Sequence, residues 1–317
     1  MITTNITKAK KALINDEIVS IPTETVYGLA GNAYSETALK KIFFLKKRPL
    51  HNPLIVHIKS VEYINNIAKD IPEIAMKLAK EFWPGPLTLV LKKQKHIPDL
   101  VTAGHDTVAV RIPNHPVALA LLEELDFPLA APSANPFGSI SPTSAEHVLN
   151  YFGDQLNIIL NGGECSKGLE STIIGFENNI PILFRHGSIS IEEIELCVGK
   201  VIIKTNDDLK PNAPGMLSRH YAPSTDTYLT DNVVELLKTF SGKNIGLLLF
   251  KNQIEHKNNI AQEVLSKTGD LKEAAKNLYA ALHRLDKSNL DIIIAEKFPN
   301  EGLGKTINDR LERAIKK

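Results

Sequence analysis

Residues 205–224, TNDDLKPNAPGMLSRHYAPS, divide this chain into two stretches of different rhythm. Pro211, Pro214, Pro223 and Gly215 exclude a helix or a regular ladder there. Before the break, helix and strand patterns are mixed. After it the order is simple: helix (233–240), strand (245–250), helix (270–285), strand (291–295), helix (307–315). That succession predicts an open α/β unit with a largely parallel sheet. At 317 residues the chain is long enough for two cores. The expected division is 1–204, a connecting loop 205–224, and a smaller α/β unit 225–317. A free linker is usually rich in Gly, Ser or charge. This one carries Met216, Arg219, His220 and Tyr221, and reads as a loop that packs on something.

The net charge of +1 gives no global field for nucleic acid or membranes, so any basic site must be local. The N-terminus has no apolar core of signal-peptide length, and no apolar run approaches bilayer length. Cys165 and Cys197 have no CxxC spacing, which speaks against a zinc ribbon or a disulfide scaffold. A cytoplasmic protein with two free thiols is expected.

In the first stretch, Ser20–Ile58 is the most informative segment. Ile18, Val19 and Ile21 predict a short strand, and Pro22 ends it. Thr23, Glu24 and Thr25 follow as a polar turn whose hydroxyls can bond backbone or ligand. A helix after Ser35 carries Leu39, Ile42 and Phe43 on one face and ends before Pro49. Lys40, Lys41, Lys46, Lys47 and Arg48 put five cations in nine residues with no acid among them. Residues 53–58 then predict a second buried strand. Cations and hydroxyls beside strand ends point to an anion, phosphate above all. Taken alone, Lys46-Lys47-Arg48 is more simply a solvated helix end, since cations favour helix C-termini.

Further strands are expected at 86–92, 107–113, 157–161, 171–176 and 181–185, and helices at 73–82 and 115–125. In the 107–113 run, Val108, Val110 and Ile112 share one face, while Thr107, Ala109 and Arg111 share an outward one. Thr143–Glu146 and Ser190–Glu193 read as capping boxes opening two more helices. Three loops strengthen the anion reading. Ala131–Pro136 brackets Ser133 and Asn135 with prolines. Residues 161–172, NGGECSKGLEST, form a glycine-rich hydroxyl loop whose amides can cradle an anion. Phe184–Gly187 sets Arg185 at a strand end. Each has an ordinary turn or cap explanation; together they repeat cations and hydroxyls at strand ends, as an α/β active site does.

Familiar nucleotide and hydrolase motifs are missing. Gly302–Thr306 resembles the end of a P-loop, but Pro299 stands where its first glycine belongs, so a turn opening the last helix is expected. No GxGxxG follows a strand, and no HExxH, GxSxG or paired metal ligands occur.

As a set, IPTETVYGLAGNA, KKRPLHNPLIVHI, WPGPLTLVL, VAVRIPNHP, LAAPSANPFGSISPT, LESTII and LFRHG resemble the signature blocks of the YrdC-like family in order and spacing. PNAPGMLSRHYAP and the unit beyond it resemble the family's two-domain form, the L-threonylcarbamoyladenylate synthases. The resemblance implies a mixed-sheet α/β (α+β) YrdC-like domain followed by a smaller Rossmann-like open α/β domain. It implies a nucleotidyltransferase that joins L-threonine, bicarbonate and ATP, usually with Mg²⁺, into threonylcarbamoyl-AMP and pyrophosphate. The product would pass to the transferase system that modifies adenosine 37 of tRNA, with room for a weak tRNA contact.

By similarity Lys46, Arg48, Ser133 and Asn135 form the catalytic KxR and SxN tetrad. Arg48, Asn52, Thr107, Ser133, Ser141, Arg185 and Tyr221 match ATP-contacting positions. Thr25, His57, Arg111, Ala131 and Ser171 match threonine-side positions, where the planar fork of Arg111 suits a carboxylate. Two departures stand out. Lys47 replaces a frequent glycine and is expected to face solvent, and Leu217–Ser218 replaces a lysine and a larger side chain in the linker. Two other functions share the fold: an RNA-binding module and a carbamoyl-adenylate-forming enzyme of hydrogenase maturation. An aromatic content of 6% with charge +1 disfavours the first. The lack of CxxC disfavours the second.

Overall fold

The computed structural model describes residues 1–205, 213–216, 220–255 and 260–315. Pro211, Leu217, Ser218 and Arg219 of the connecting loop lie outside them.

The first unit is built on a mixed sheet of eleven strands. Their spatial order is Ile2–Thr3, Ile159–Leu160, Val19–Ile21, Gly28–Asn32, Leu129–Ala130, Ile55–His57, Thr107–Arg111, Leu87–Lys92, Thr172–Glu177, Ile180–Arg185 and Ile202–Ile203. Register carries the chemistry to one end. His57 pairs with Arg111, Leu89 with Val110, Leu87 with Thr172, and Arg185 with Ile173. The end of Thr107–Arg111 and the start of Thr172–Glu177 therefore open on the same side. One sheet face packs on the helices Glu73–Phe82 and Ile191–Val198 in the main core. On the other face, Ile55, Val90, Ala109, Ile173, Ile182 and Phe184 are roofed by Ala213 and Met216. The connecting loop thus packs, as its composition predicts.

That roof corrects one expectation. The face with Ala109 and Arg111 is buried, so the Thr107–Arg111 strand is covered on both sides and only Thr107 is half-exposed. The Gly28–Asn32 strand was not anticipated; Gly-Leu-Ala-Gly-Asn has little strand propensity, and its two ladder partners supply the order. The cap of the Ala145–Phe152 helix is Ser144, one residue after the expected Thr143, with Ser144 Oγ accepting from His147 N. The Ser190–Glu193 capping box is present.

The second unit is a parallel four-stranded sheet in the order Asp226–Thr230, Ile292–Glu296, Ile245–Leu249, Ala261–Val264. Its first and third strands in chain order were not legible. Gly302–Thr306 opens the final helix, Gly302–Ala314, earlier than the expected Ile307. This helix and Leu271–Asp286 face the first unit. Val26, Ile140, Leu169 and Tyr221 join Leu278, Tyr279, Leu282 and Ile307 in one apolar cluster. Gly168 brings the two backbones together. It has φ +73°, and a Cβ there would lie 2.2 Å from the Lys276 carbonyl oxygen.

Candidate active site

Helix Glu36–Lys46 ends because Lys47 adopts a left-handed conformation (φ 52°) and Pro49 follows. The turn sends Lys47 into solvent, as expected, and Lys46 and Arg48 inward. Both are buried, at 1% and 7% exposure, which sets aside the solvated-helix-end reading for these two residues. Lys46 Nζ donates to the carbonyls of Ser133 (2.6 Å) and Asn135. Arg48 donates to Asn52 Oδ1 (2.6 Å) and to the carbonyls of Asn52 and Pro53. Among the described residues neither cation pairs with a carboxylate. Burial, with Arg48 as neighbour, pushes the Lys46 ammonium well below its usual range. Burial and then Arg185 work against the Arg48 charge. The other basic residues are surface groups: Lys40 pairs with Glu36 and Lys41 with Glu17.

A cleft of about 50 Å³ lies over these elements. Thr25, Arg48, His57, Arg111, Ala131, Ser133, Ser171, Arg185 and Tyr221 line it, all named from sequence. Lys46, Asn52, Asn135 and Ser141 stand one layer behind. Asn135 Nδ2 braces its own loop through Pro136 O and Ser139 O, both 2.9 Å. Thr107 does not line the cleft; it sits at the far end of the strand from Arg111, beside Lys92.

At one side of the cleft, Arg111 Nη1 donates to Thr25 Oγ1 (2.9 Å) and Nε to Gly85 O (3.3 Å). Glu24 Oε1 lies 2.6 Å from Arg111 Nη2 but off the N–H direction, a charge contact without an aligned hydrogen bond. His57 is held neutral by burial and by Arg111, its pKa falling to about 3. At the other side, Arg185 donates to Ser171 O, Ser171 Oγ and Pro214 O, and Ser171 also bonds Thr88. Several buried polar atoms here have no partner among the described residues: Asn52 Nδ2, His57 Nδ1, Asn135 Oδ1, Tyr221 OH and Glu24 Oε2. Unsatisfied buried groups concentrated at one cleft are unusual in a stable fold and mark a place where a ligand supplies the partners.

Residues 11–187 match a family model described as "Telomere recombination" (the Sua5, YciO and YrdC grouping). Residues 189–315 match the "Threonylcarbamoyl-AMP synthase, C-terminal domain" model. The threonylcarbamoyl-AMP synthase of Pyrococcus abyssi is 44% identical over 94% of this chain and 90% of its own. This chain belongs to the threonylcarbamoyl-AMP synthase family. The Bacillus subtilis member is 39% identical over 98% of this chain and 92% of its own. A crystal structure of P. abyssi Sua5 complexed with L-threonine superimposes with a TM-score of 0.91, at 41% identity, covering 98% of this chain and 95% of that one.

Within the family framework, the structure adds residues that sequence reading missed. Glu24, between the two threonines of the polar turn, is buried against Arg111. Glu170, in the glycine-rich loop, lines the cleft and accepts from Ser141 Oγ at 2.6 Å. His220 lines it from the connecting loop and is kept neutral by burial, its pKa near 3. A signal for Glu170 lay in its neighbours, since an acid between Leu169 and the Ser171–Thr172 strand entry is placed to be buried.

Proposed function

We infer that this chain makes threonylcarbamoyl-AMP and pyrophosphate from L-threonine, bicarbonate and ATP. The observation that carries the reading is the cleft's charge: Arg48 and Arg185 line it, Lys46 stands behind it, and among the described residues Lys46 and Arg48 donate only to neutral oxygens. Buried cations without a carboxylate are costly, and a polyphosphate offsets that cost.

The chemistry follows from the groups present. The threonine amine and bicarbonate form a carbamate with loss of water. A carbamate oxygen then attacks the α-phosphorus in line, and the bond to the β-phosphate breaks to release pyrophosphate. Such a step asks for positioning and charge stabilisation more than for covalent help. Lys46 and Arg48 would stabilise charge on the phosphates, while Ser133 and Asn135 orient the nucleotide and carbamate. Arg48, Asn52, Ser133, Ser141, Arg185 and Tyr221 make the ATP side in this reading. Thr107 would meet ATP only if the nucleotide extends along the sheet face that Ala213 and Met216 now roof. Thr25, His57, Arg111, Ala131 and Ser171 make the threonine side. His57 enters as a neutral imidazole, a hydrogen-bonding partner rather than a cation. Hydroxyl-bearing walls fit selection of threonine over amino acids that lack its hydroxyl.

Among the described residues no group of three or more His, Cys, Asp or Glu side chains converges. Mg²⁺ arriving on the triphosphate, with water completing its shell, is compatible with these walls. Transfer of the product to the tRNA-modifying system, a cytoplasmic location, and the division into 1–204, 205–224 and 225–317 belong to the same reading. Among the described residues no helix is long and apolar enough to cross a membrane. The test is direct: the chain is incubated with ATP, bicarbonate and labelled threonine. The expected result is pyrophosphate release with a threonine-bearing AMP adduct; pyrophosphate that appears equally without threonine overturns the reading.

A further inference from the structure

Three segments of the cleft wall meet at one side chain of the second unit. Arg310 Nε donates to Glu170 Oε2 at 2.9 Å. Its Nη2 donates to the His186 carbonyl at 2.5 Å, next to Arg185. Its guanidinium lies over the Tyr221 ring, 4.6 Å from the centroid. Tyr279, from the other contacting helix, donates its hydroxyl to the same Glu170 oxygen at 2.9 Å. The second Glu170 oxygen receives Ser141 Oγ. All these side chains are buried, and Arg310 is the largest fully buried side chain described. A buried arginine with this many directed contacts holds its neighbours rigidly.

The charges explain why the arrangement matters. Glu170 feels two guanidinium groups, Arg310 more strongly and Arg185 next. Without Arg310, the carboxylate's remaining strong attraction is to Arg185. Pairing there would spend the positive charge that lines the cleft. Asp309 completes the balance on the second unit's side by pairing with Arg310 and Arg313. The cluster is therefore neutral within itself, and Arg185 stays available.

We propose that Arg310 and Tyr279 are positioning residues of the active site: by fixing the Glu170 carboxylate they set Ser141, Arg185 and Tyr221 for the nucleotide, which makes the second unit a structural part of the ATP-binding wall. The proposal rests on the assignment of Ser141, Arg185 and Tyr221 to the ATP side. Neither residue touches substrate; both act through Glu170.

The test uses the full chain and measures ATP and threonine dissociation constants separately by calorimetry, without turnover, alongside the unfolding temperature. Tyr279→Phe removes one hydroxyl at constant shape and is expected to weaken ATP about tenfold, the worth of one hydrogen bond to a charged group, with threonine affinity within about twofold. Ser141→Ala should weaken ATP too. Adding Tyr279→Phe to it should weaken ATP no further, because both changes act through the same carboxylate. Arg310→Met is the more drastic variant. Unchanged ATP affinity in Tyr279→Phe, multiplying losses in the double variant, or equal losses for ATP and threonine that track the unfolding temperature would each overturn the proposal. Failure of the unmodified chain to form the threonine adduct is a separate result, which sinks the proposed reaction but leaves the ATP-affinity comparison standing.

Discussion

Two buried charge clusters border the cleft and are built on opposite principles. Around Glu170, charge meets charge: a carboxylate, Arg310, and the Asp309–Arg313 pair. Burial alone would raise the Glu170 pKa, but Arg310, Arg185 and the Ser141 bond outweigh it and bring it down to about 2. Around Lys46 and Arg48, charge meets only dipoles among the described residues: the carbonyls of Ser133, Asn135, Asn52 and Pro53 and the Asn52 side-chain oxygen. A self-compensated cluster fixes structure, whereas an uncompensated one is set up to receive a counter-charge. The difference separates residues that hold the site from residues that use it.

The largest effect should come from breaking the compensated side. Arg310→Met leaves Glu170 buried and short of its main partner, and should lower stability by about 3–5 kcal/mol in chemical denaturation. A loss under about 1 kcal/mol would mean that the two clusters do not differ as described. On the uncompensated side, Arg48→Met should lower the rate of pyrophosphate formation about 10²–10³-fold, the usual cost of one charge-stabilising donor. ATP or pyrophosphate should raise the unfolding temperature of the unmodified chain, and Arg48→Met should abolish that rise. Lys46→Met differs in that its ammonium ties down the 133–135 loop, so stability should fall together with activity. Retained thermal stabilisation by pyrophosphate in Arg48→Met would remove the counter-charge argument.

Acidification sharpens the comparison. His57 and His220 are neutral in the folded state, with pKa values near 3, against an ordinary value of 6.5. Below about pH 6.5 the unfolded chain takes up protons that the folded one refuses, so stability falls as pH drops from about 6.5 towards 3. The slope is about 1.4 kcal/mol per pH unit for each histidine. Glu170, ionised in the fold down to about pH 2 against an ordinary value of 4.5, adds to the fall below about pH 4.5. A stability curve flat between pH 7 and 5 would contradict the burial of both rings. The smallest effect belongs to Lys47→Ala: an exposed cation one residue from each buried one should change stability and rate by no more than about 0.5 kcal/mol.

Much of the first unit was legible because its strands and helices repeat apolar residues at clear periods; helix Glu73–Phe82 has the bounds its pattern predicts. Strands without such a pattern, Gly28–Asn32 and Ala261–Val264, owe their order to neighbours distant in sequence. The site was legible as a set of residue types but not as charges. Lysines and arginines at a helix end usually mean solvent, and nothing local distinguishes the inward Lys46 from the outward Lys47 except the left-handed conformation of Lys47 itself. The Glu170–Arg310 contact joins residues 140 positions apart, beyond any periodic signal. The cost of burying Glu24 and Glu170 is visible only once their arginines are in place.

Gly168 sets a manufacturing tolerance for the whole molecule. The two units meet there backbone to backbone, with no side chain to act as padding. An added methyl would work as a shim driven into the joint, tilting the helix that carries Tyr279 away from the loop that carries Glu170. A glycine two residues before Glu170 thereby fixes how finely that wall of the cleft is machined.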